Sequence, residues 1–113
     1  MTIEPPEFRR ILGHFATGVV VVTTYDDTQR QPCGLTANAV ASVSLDPPLV
    51  LACVALESDT HDCIDRSGFF AVNVLGSDQE PVARRFASEL VGEKFVGVPH
   101  RLAATGAPVL EGA

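Results

Sequence analysis

"GLTANAVASVSLDPPLVLACV", residues 34–54, is the stretch on which the fold turns. It opens with small polar residues and passes into a Val/Ser alternation over residues 40–45. It then breaks at Asp46, Pro47 and Pro48 and resumes as an apolar run over residues 49–56. A period-two alternation is a half-buried strand, and an apolar run that follows two prolines is a second one. Thr36, Asn38, Ser42 and Ser44 admit two readings. They are turn residues satisfying their own backbone plus the solvent face of a strand, or they are a loop and strand wrapped around a polar aromatic ligand. Pattern alone favours the first.

Outward from this stretch the chain reads as short strands with a few helices. Phe8, Ile11, Leu12 and Phe15 recur at helical spacing behind Pro5 and Pro6, which suit a first turn, so a helix is expected, weakened at Gly13 and ended by Gly18. "VVVVTT", residues 19–24, is β-branched on both faces and reads as a buried strand. "YDDTQRQP" is a polar turn, and a short strand over residues 34–36 follows it. A second helix is expected from a cap at Ser58 or Asp59 to Ser67 and Gly68. "FFAVNVL" is a strand, and "QEPVARRFASEL" a helix with Val82, Phe86 and Leu90 inward. The remainder, punctuated by Gly and Pro, shows no closing element. Adjacent short strands with helices at the flanks point to a mainly-β barrel, and no GxGxxG opens a helix as a dinucleotide fold would need.

Composition narrows the function. With 113 residues, 46% hydrophobic and 19% charged, the chain is expected to be one domain spanning 1–113, ordered, with a modest core. Its net charge of −6 and its lack of a basic stripe argue against nucleic acid. No apolar run approaches the roughly 18 residues that cross a bilayer, so no membrane partner is expected. "MTIEPPEFRR" lacks a signal-peptide pattern, which makes the cytoplasm the expected location. Cys33, Cys53 and Cys63 form no CxxC pair, so reduced packing thiols are expected rather than a disulfide. His61 and Cys63 have no second ligand pair at zinc-site spacing, so no metal is expected.

Four segments in order, "FRRILGHFATGVVVVTT", "GLTANAVASVSLDPPLVLACV", "SGFFAVNVL" and "ARRFAS", resemble the short-chain flavin reductases of the FMN-binding split-barrel fold. Many of these are the reductase components of two-component flavin monooxygenases. The resemblance covers nearly the whole chain. It implies a homodimeric antiparallel split β-barrel with flanking helices, FMN or FAD held beside the dimer interface, and NADH or NADPH stacking on the flavin. It implies as well that reduced flavin passes to a separate flavin-dependent monooxygenase. Thr36, Ala37 and Asn38 would lie along the ring and its ribityl chain, with Ser42 and Val43 at the ring edge. Ser58 and Thr60 would meet the phosphate at a helix N-terminus, where caps and anions both sit. Arg85 and Phe86 would approach the cofactor, although a solvated helix face is the plainer reading of Arg84 and Arg85.

The chain departs from the family pattern in two places. The family's domain runs on beyond "GAPVLEGA" with further strands and a Gly-Asp-His segment, so these residues are expected to be an incomplete domain. Where many members carry a basic residue near the phosphate, this chain has Leu56 and Asp59. Stacked-ring hydride transfer needs geometry more than proton transfer, so no catalytic acid or base is expected. The other functions open to such a sequence are a non-enzymatic flavin-binding module and a plain β domain serving as an interaction subunit.

Overall fold

A computed structural model describes residues 2–88 and 93–113. It contains helix α1 (Pro5–Leu12), strands β1 (Val20–Asp26), β2 (Gln31–Ala37), β3 (Val40–Leu45) and β4 (Pro48–Ala52), and helix α2 (Asp59–Ser67). Strand β5 (Ala71–Val74), helix α3 (Glu80–Ser88) and strands β6 (His100–Leu102) and β7 (Pro108–Leu110) complete it. The architecture is mainly β with flanking helices and antiparallel pairing throughout, as expected for the wall of a split barrel. The wall is in three pieces: a sheet ordered β2-β1-β5, and the two hairpins β3-β4 and β6-β7.

β1 is the centre of the molecule. Its β-branched run is buried on both faces, with Val21, Val22, Thr23 and Thr24 without exposed surface, which is what a central strand covered on both sides requires. Val21, Phe86, Phe95 and Leu110 form the core cluster, with Leu75, Val82 and Val98 packed against it. Phe86 and Phe95 meet edge to face, with ring centroids 4.8 Å apart. Two hydroxyls on β1 are satisfied at long range, Thr23 Oγ1 donating to the Pro108 carbonyl at 2.6 Å and Thr24 bonding the Ser67 hydroxyl at 2.6 Å. Such pairing is what makes buried hydroxyls tolerable.

The α2 ends are as expected. Ser58 Oγ accepts from the Thr60 amide at 3.2 Å as the N-cap. Gly68 closes the helix at φ +80, a conformation open to glycine without a Cβ penalty, and its amide reaches the Ile64 carbonyl at 2.8 Å.

Several expectations are corrected. The first helix ends at Leu12 with Gly13 as its cap, not at Gly18, and its apolar stripe is exposed, with Phe8 at 54% and Leu12 at 50%. The β3-β4 hairpin is likewise open, with Val43, Leu45, Leu49 and Leu51 all exposed. Period and composition report an apolar face, not what covers it. The closing segment does hold regular structure, the β6-β7 hairpin, and places Leu110 in the core. Val82 and Phe86 are inward as expected, while Leu90 lies outside the described residues. A disulfide joins Cys33 on β2 to Cys63 on α2, where free thiols were expected. The two are 30 residues apart, so only the packing of α2 on β2 brings them together.

Candidate flavin-binding site

At the end of β2 the chain leaves the sheet and crosses to β3, and a hollow of about 400 Å³ opens there. One wall is residues 35–39. Cys53, Ala55 and Ser58, on the way from β4 into α2, form the second, and Phe86, Ala87 and Lys94 the third. A second hollow of about 310 Å³, at residues 17–19 and 75–77, has Glu80 as its one charged lining residue, and Glu80 is paired with Arg84. The first hollow combines small and apolar side chains with a few convergent polar groups, the usual make-up of a small-molecule site.

Its walls are held by bonds that begin on β2. Thr36 Oγ1 donates to the Ala83 carbonyl of α3, tying strand to helix. The Gly34 carbonyl accepts twice, from Thr60 Oγ1 at 3.0 Å and from Lys94 Nζ at 2.8 Å. That oxygen therefore joins α2, β2 and the segment after α3. Asn38 is exposed in the hollow and makes no side-chain hydrogen bond among the described residues.

The structure brings Thr36, Ala37, Asn38, Ser58 and Phe86 together around one hollow. The other expected residues stand elsewhere. Ser42 and Val43 are exposed on β3 at a register shift between Ser42 and Ser44, outside the lining. Thr60 has no exposed surface and its hydroxyl is spent on Gly34, so it supports the hollow from beneath rather than lining it. Arg85 turns away, donating from Nε to the Lys94 carbonyl at 2.9 Å and from Nη2 to the Glu93 carbonyl at 2.8 Å. It is neither a solvated surface arginine nor a lining one; it fixes the backbone that carries Lys94.

Lys94 is the residue that sequence reasoning missed. It is the single lysine among the eight basic residues. It is only 9% exposed and belongs to none of the ion pairs among the described residues. Burial pushes its pKa down, and the Asp59 carboxylate offsets part of that. A lone lysine in an irregular segment reads as surface. The available signal was its place beside Phe95 in "KFVGV", an otherwise apolar run.

An isoalloxazine ring has apolar faces and an edge of alternating donors and acceptors. Leu35, Ala37 and Ala39 suit the faces, and Thr36, Asn38 and main-chain amides suit the edge, so these residues fit a flavin.

Residues 12–113 match the flavin reductase like domain. The reductase subunit HsaB of a flavin-dependent monooxygenase from Rhodococcus jostii is 42% identical over 110 residues, covering 97% of this chain and 55% of that protein. An NADH-dependent flavin reductase from a Rhodococcus species is 39% identical over 98% of this chain and 62% of its own length. The chain thus spans little more than half the length of such relatives. Among solved structures, the NADH:FAD oxidoreductase SgcE6 of Streptomyces globisporus superposes with a TM-score of 0.88 at 41% identity, over 100% of this chain and 69% of that one. The same protein in complex with NAD and FAD fragments superposes with a TM-score of 0.82 at 41% identity, over 100% and 68%. With residues 12–113 matched by its model, the chain belongs to the flavin reductase like domain family.

Proposed function

We propose that this chain is the flavin-holding part of an NAD(P)H-dependent flavin reductase that supplies reduced FMN or FAD to a partner monooxygenase. The observation that carries the reading is the hollow itself. Five residues that the family resemblance assigns to the flavin, Thr36, Ala37, Asn38, Ser58 and Phe86, line one cavity of suitable size.

The flavin, when bound, supplies the hydride-accepting chemistry. The protein's part is position and field. Phe86, held by Phe95 in the core, fixes one wall. Ala37 and Ala39 keep side chains short so that main-chain groups can approach a ring edge. Thr36 donates its hydroxyl hydrogen bond to the Ala83 carbonyl and keeps acceptor capacity, while Asn38 offers both a donor and an acceptor. Fixed N–H donors near the ring's pyrimidine side favour the electron-rich reduced form.

Two further features belong to the same reading. A homodimer would cover the exposed stripe of α1 and the open β3-β4 hairpin, both of which leave large apolar side chains in water. The cytoplasm is the compartment where a nicotinamide-dependent reductase would work; the Cys33–Cys63 bond is the feature that runs against it.

The experiment is NADH and NADPH oxidation by the purified chain with and without added FMN or FAD. The reading predicts oxidation that rises with added flavin. Saturable flavin binding without any nicotinamide oxidation would favour the non-enzymatic flavin-binding module instead.

A further inference from the structure

The Cys33–Cys63 bond is the feature of this molecule that a reducing compartment does not explain. In the cytoplasm a disulfide is seldom a permanent brace; those that form there are made and broken as part of function. Its place in the fold gives the pair something to control. Cys33 precedes Gly34, whose carbonyl accepts from both Thr60 and Lys94, and Cys63 lies one turn beyond Thr60 on α2. The second half of α2 is held on β1, by Arg66 on Asp26 at 2.7 Å and Ser67 on Thr24 at 2.6 Å. The first half is held on β2. Its covalent and hydrogen-bonded ties there, among the described residues, are the disulfide and the Thr60 bond to Gly34. Breaking the disulfide leaves that single hydrogen bond at the end of α2 where Ser58 lines the hollow.

The two sulfurs are not equivalent. Cys33 has no exposed surface, whereas Cys63, 2% exposed, lines a separate polar hollow of about 310 Å³ with Gln29, Gln31, Asp59, Asp62 and Arg66. Arg66 Nη2 stands 3.8 Å from Cys63 Sγ, and a guanidinium beside a sulfur favours its thiolate, even when shared with a carboxylate such as Asp26.

We propose that Cys33 and Cys63 are a reversible dithiol–disulfide pair, opened by a dithiol reductant through this polar hollow, and that the state of the pair sets flavin affinity in the other hollow. The inference rests on the reading of that other hollow as a flavin site. A thiolate of the reductant attacks Cys63 Sγ, the Sγ–Sγ bond breaks, and Cys33 leaves as a thiolate that takes up a proton. The reductant's second thiolate then attacks its own bonded sulfur, closing its disulfide and releasing Cys63 as a thiolate beside Arg66. Two electrons have passed from the reductant to the protein, and the reverse exchange with an oxidised dithiol restores the bond. Closed, the pair holds Ser58 and residues 35–39 in one arrangement before a flavin arrives, and a preorganised site costs less to bind. Open, that ordering falls to the ligand.

The test treats the folded chain with dithiothreitol and counts its thiols by alkylation and mass. One labelled cysteine, Cys53, is expected before reduction and all three after it, without denaturant. Fluorescence titration of FMN under nitrogen, with the reductant removed, is expected to show about threefold to tenfold weaker binding by the reduced chain. Air oxidation is expected to restore both the thiol count and the affinity. A Cys33→Ala, Cys63→Ala double variant is expected to bind FMN as the reduced wild type does and to ignore the reductant, with thermal melting of each apo protein as the folding control; the wild-type comparison needs no variant. A bond that resists dithiothreitol until the chain is denatured would be a fixed brace and overturn the proposal. So would three labelled cysteines in the unreduced chain, equal FMN affinity of the two redox forms at a temperature where both are folded, or a double variant still sensitive to the reductant. A chain that bound no flavin in either form would instead bring down the flavin reading beneath it, and the thiol count, which needs no flavin, tells that failure apart.

Discussion

Gly34 lies so close to Phe86 that the two positions constrain each other. A Cβ placed on Gly34 would sit 2.9 Å from Phe86 Cε1 and 3.0 Å from Cδ1, with Phe95 Cζ at 3.3 Å. Neither ring can retreat easily, since Phe86 has no exposed surface and packs edge to face on Phe95. The same glycine presents the carbonyl on which Thr60 and Lys94 meet. Close backbone approach, not an unusual φ, is what requires glycine here.

Gly34→Ala is therefore expected to lower stability by about 1–3 kcal/mol, the usual cost of forcing a methyl into a packed core. Chemical denaturation measures it. Because Phe86 also walls the hollow, flavin affinity should fall with stability. A neutral result on both would mean that the rings have room to move.

Asn38→Leu is expected to separate binding from folding. Asn38 is exposed and makes no side-chain hydrogen bond among the described residues, so the apo protein should melt as wild type does. One lost hydrogen bond to a ligand is worth about 0.5–1.5 kcal/mol, up to roughly tenfold in FMN affinity. Paired melting curves and titrations check it; a destabilised apo protein with intact binding would make Asn38 a structural residue.

Asn73 is the converse case, a polar residue that stabilises the fold and lies away from the hollow. Its Nδ2 donates to the Val21 carbonyl at 2.9 Å and to Thr23 Oγ1 at 3.1 Å, and its Oδ1 accepts from the Leu110 amide at 2.9 Å. One side chain, 4% exposed, thus joins β5, β1 and β7. Asn73→Leu would strand the buried Leu110 amide. The expected cost is about 1–3 kcal/mol or more by urea unfolding, with flavin affinity unchanged in the folded fraction.

Asp26 and Arg66 give the fold a pH dependence. Arg66 Nη2 stands 2.7 Å from Asp26 Oδ2, and the Thr28 amide donates to Oδ1 at 3.0 Å. The guanidinium, chiefly, holds the Asp26 pKa below its ordinary 3.8, against the opposing effect of burial. A carboxylate whose pKa is lowered on folding adds stability above its unfolded pKa and loses it as pH falls through the folded one. Stability should therefore drop on acidification below about pH 4, and Asp26→Asn should flatten that part of the profile. Urea midpoints measured from neutral to strongly acid pH decide it.

Much of this was legible in the residues. The caps of α2, Ser58 and Gly68, follow from local chemistry alone, and β1 follows from its β-branched run. Residues 36–38 were singled out only through the family resemblance, since pattern alone favours turn chemistry for them. What was not legible depends on distant packing. Lys94 and Phe95 sit in a segment without periodicity, and only their contacts with Gly34 and Phe86 reveal one as a buried cation and the other as core. The Cys33–Cys63 bond needs α2 lying across β2. The stripe on α1 was visible as an apolar face, but a face does not announce whether its own chain covers it. Thr60 was expected at the phosphate because helix-cap hydroxyls suit anions, and the Gly34 carbonyl was the competing partner.

The central claim is that the hollow bounded by residues 35–39, Ser58, Phe86 and Lys94 holds a flavin. Equilibrium titration of FMN against the chain, followed by flavin fluorescence with wild type and Asn38→Leu side by side, tests it most directly. The account predicts saturable binding by the wild type and up to roughly tenfold weaker binding by the variant at unchanged apo stability. No saturable change with wild type, or identical curves for the two proteins, would contradict it.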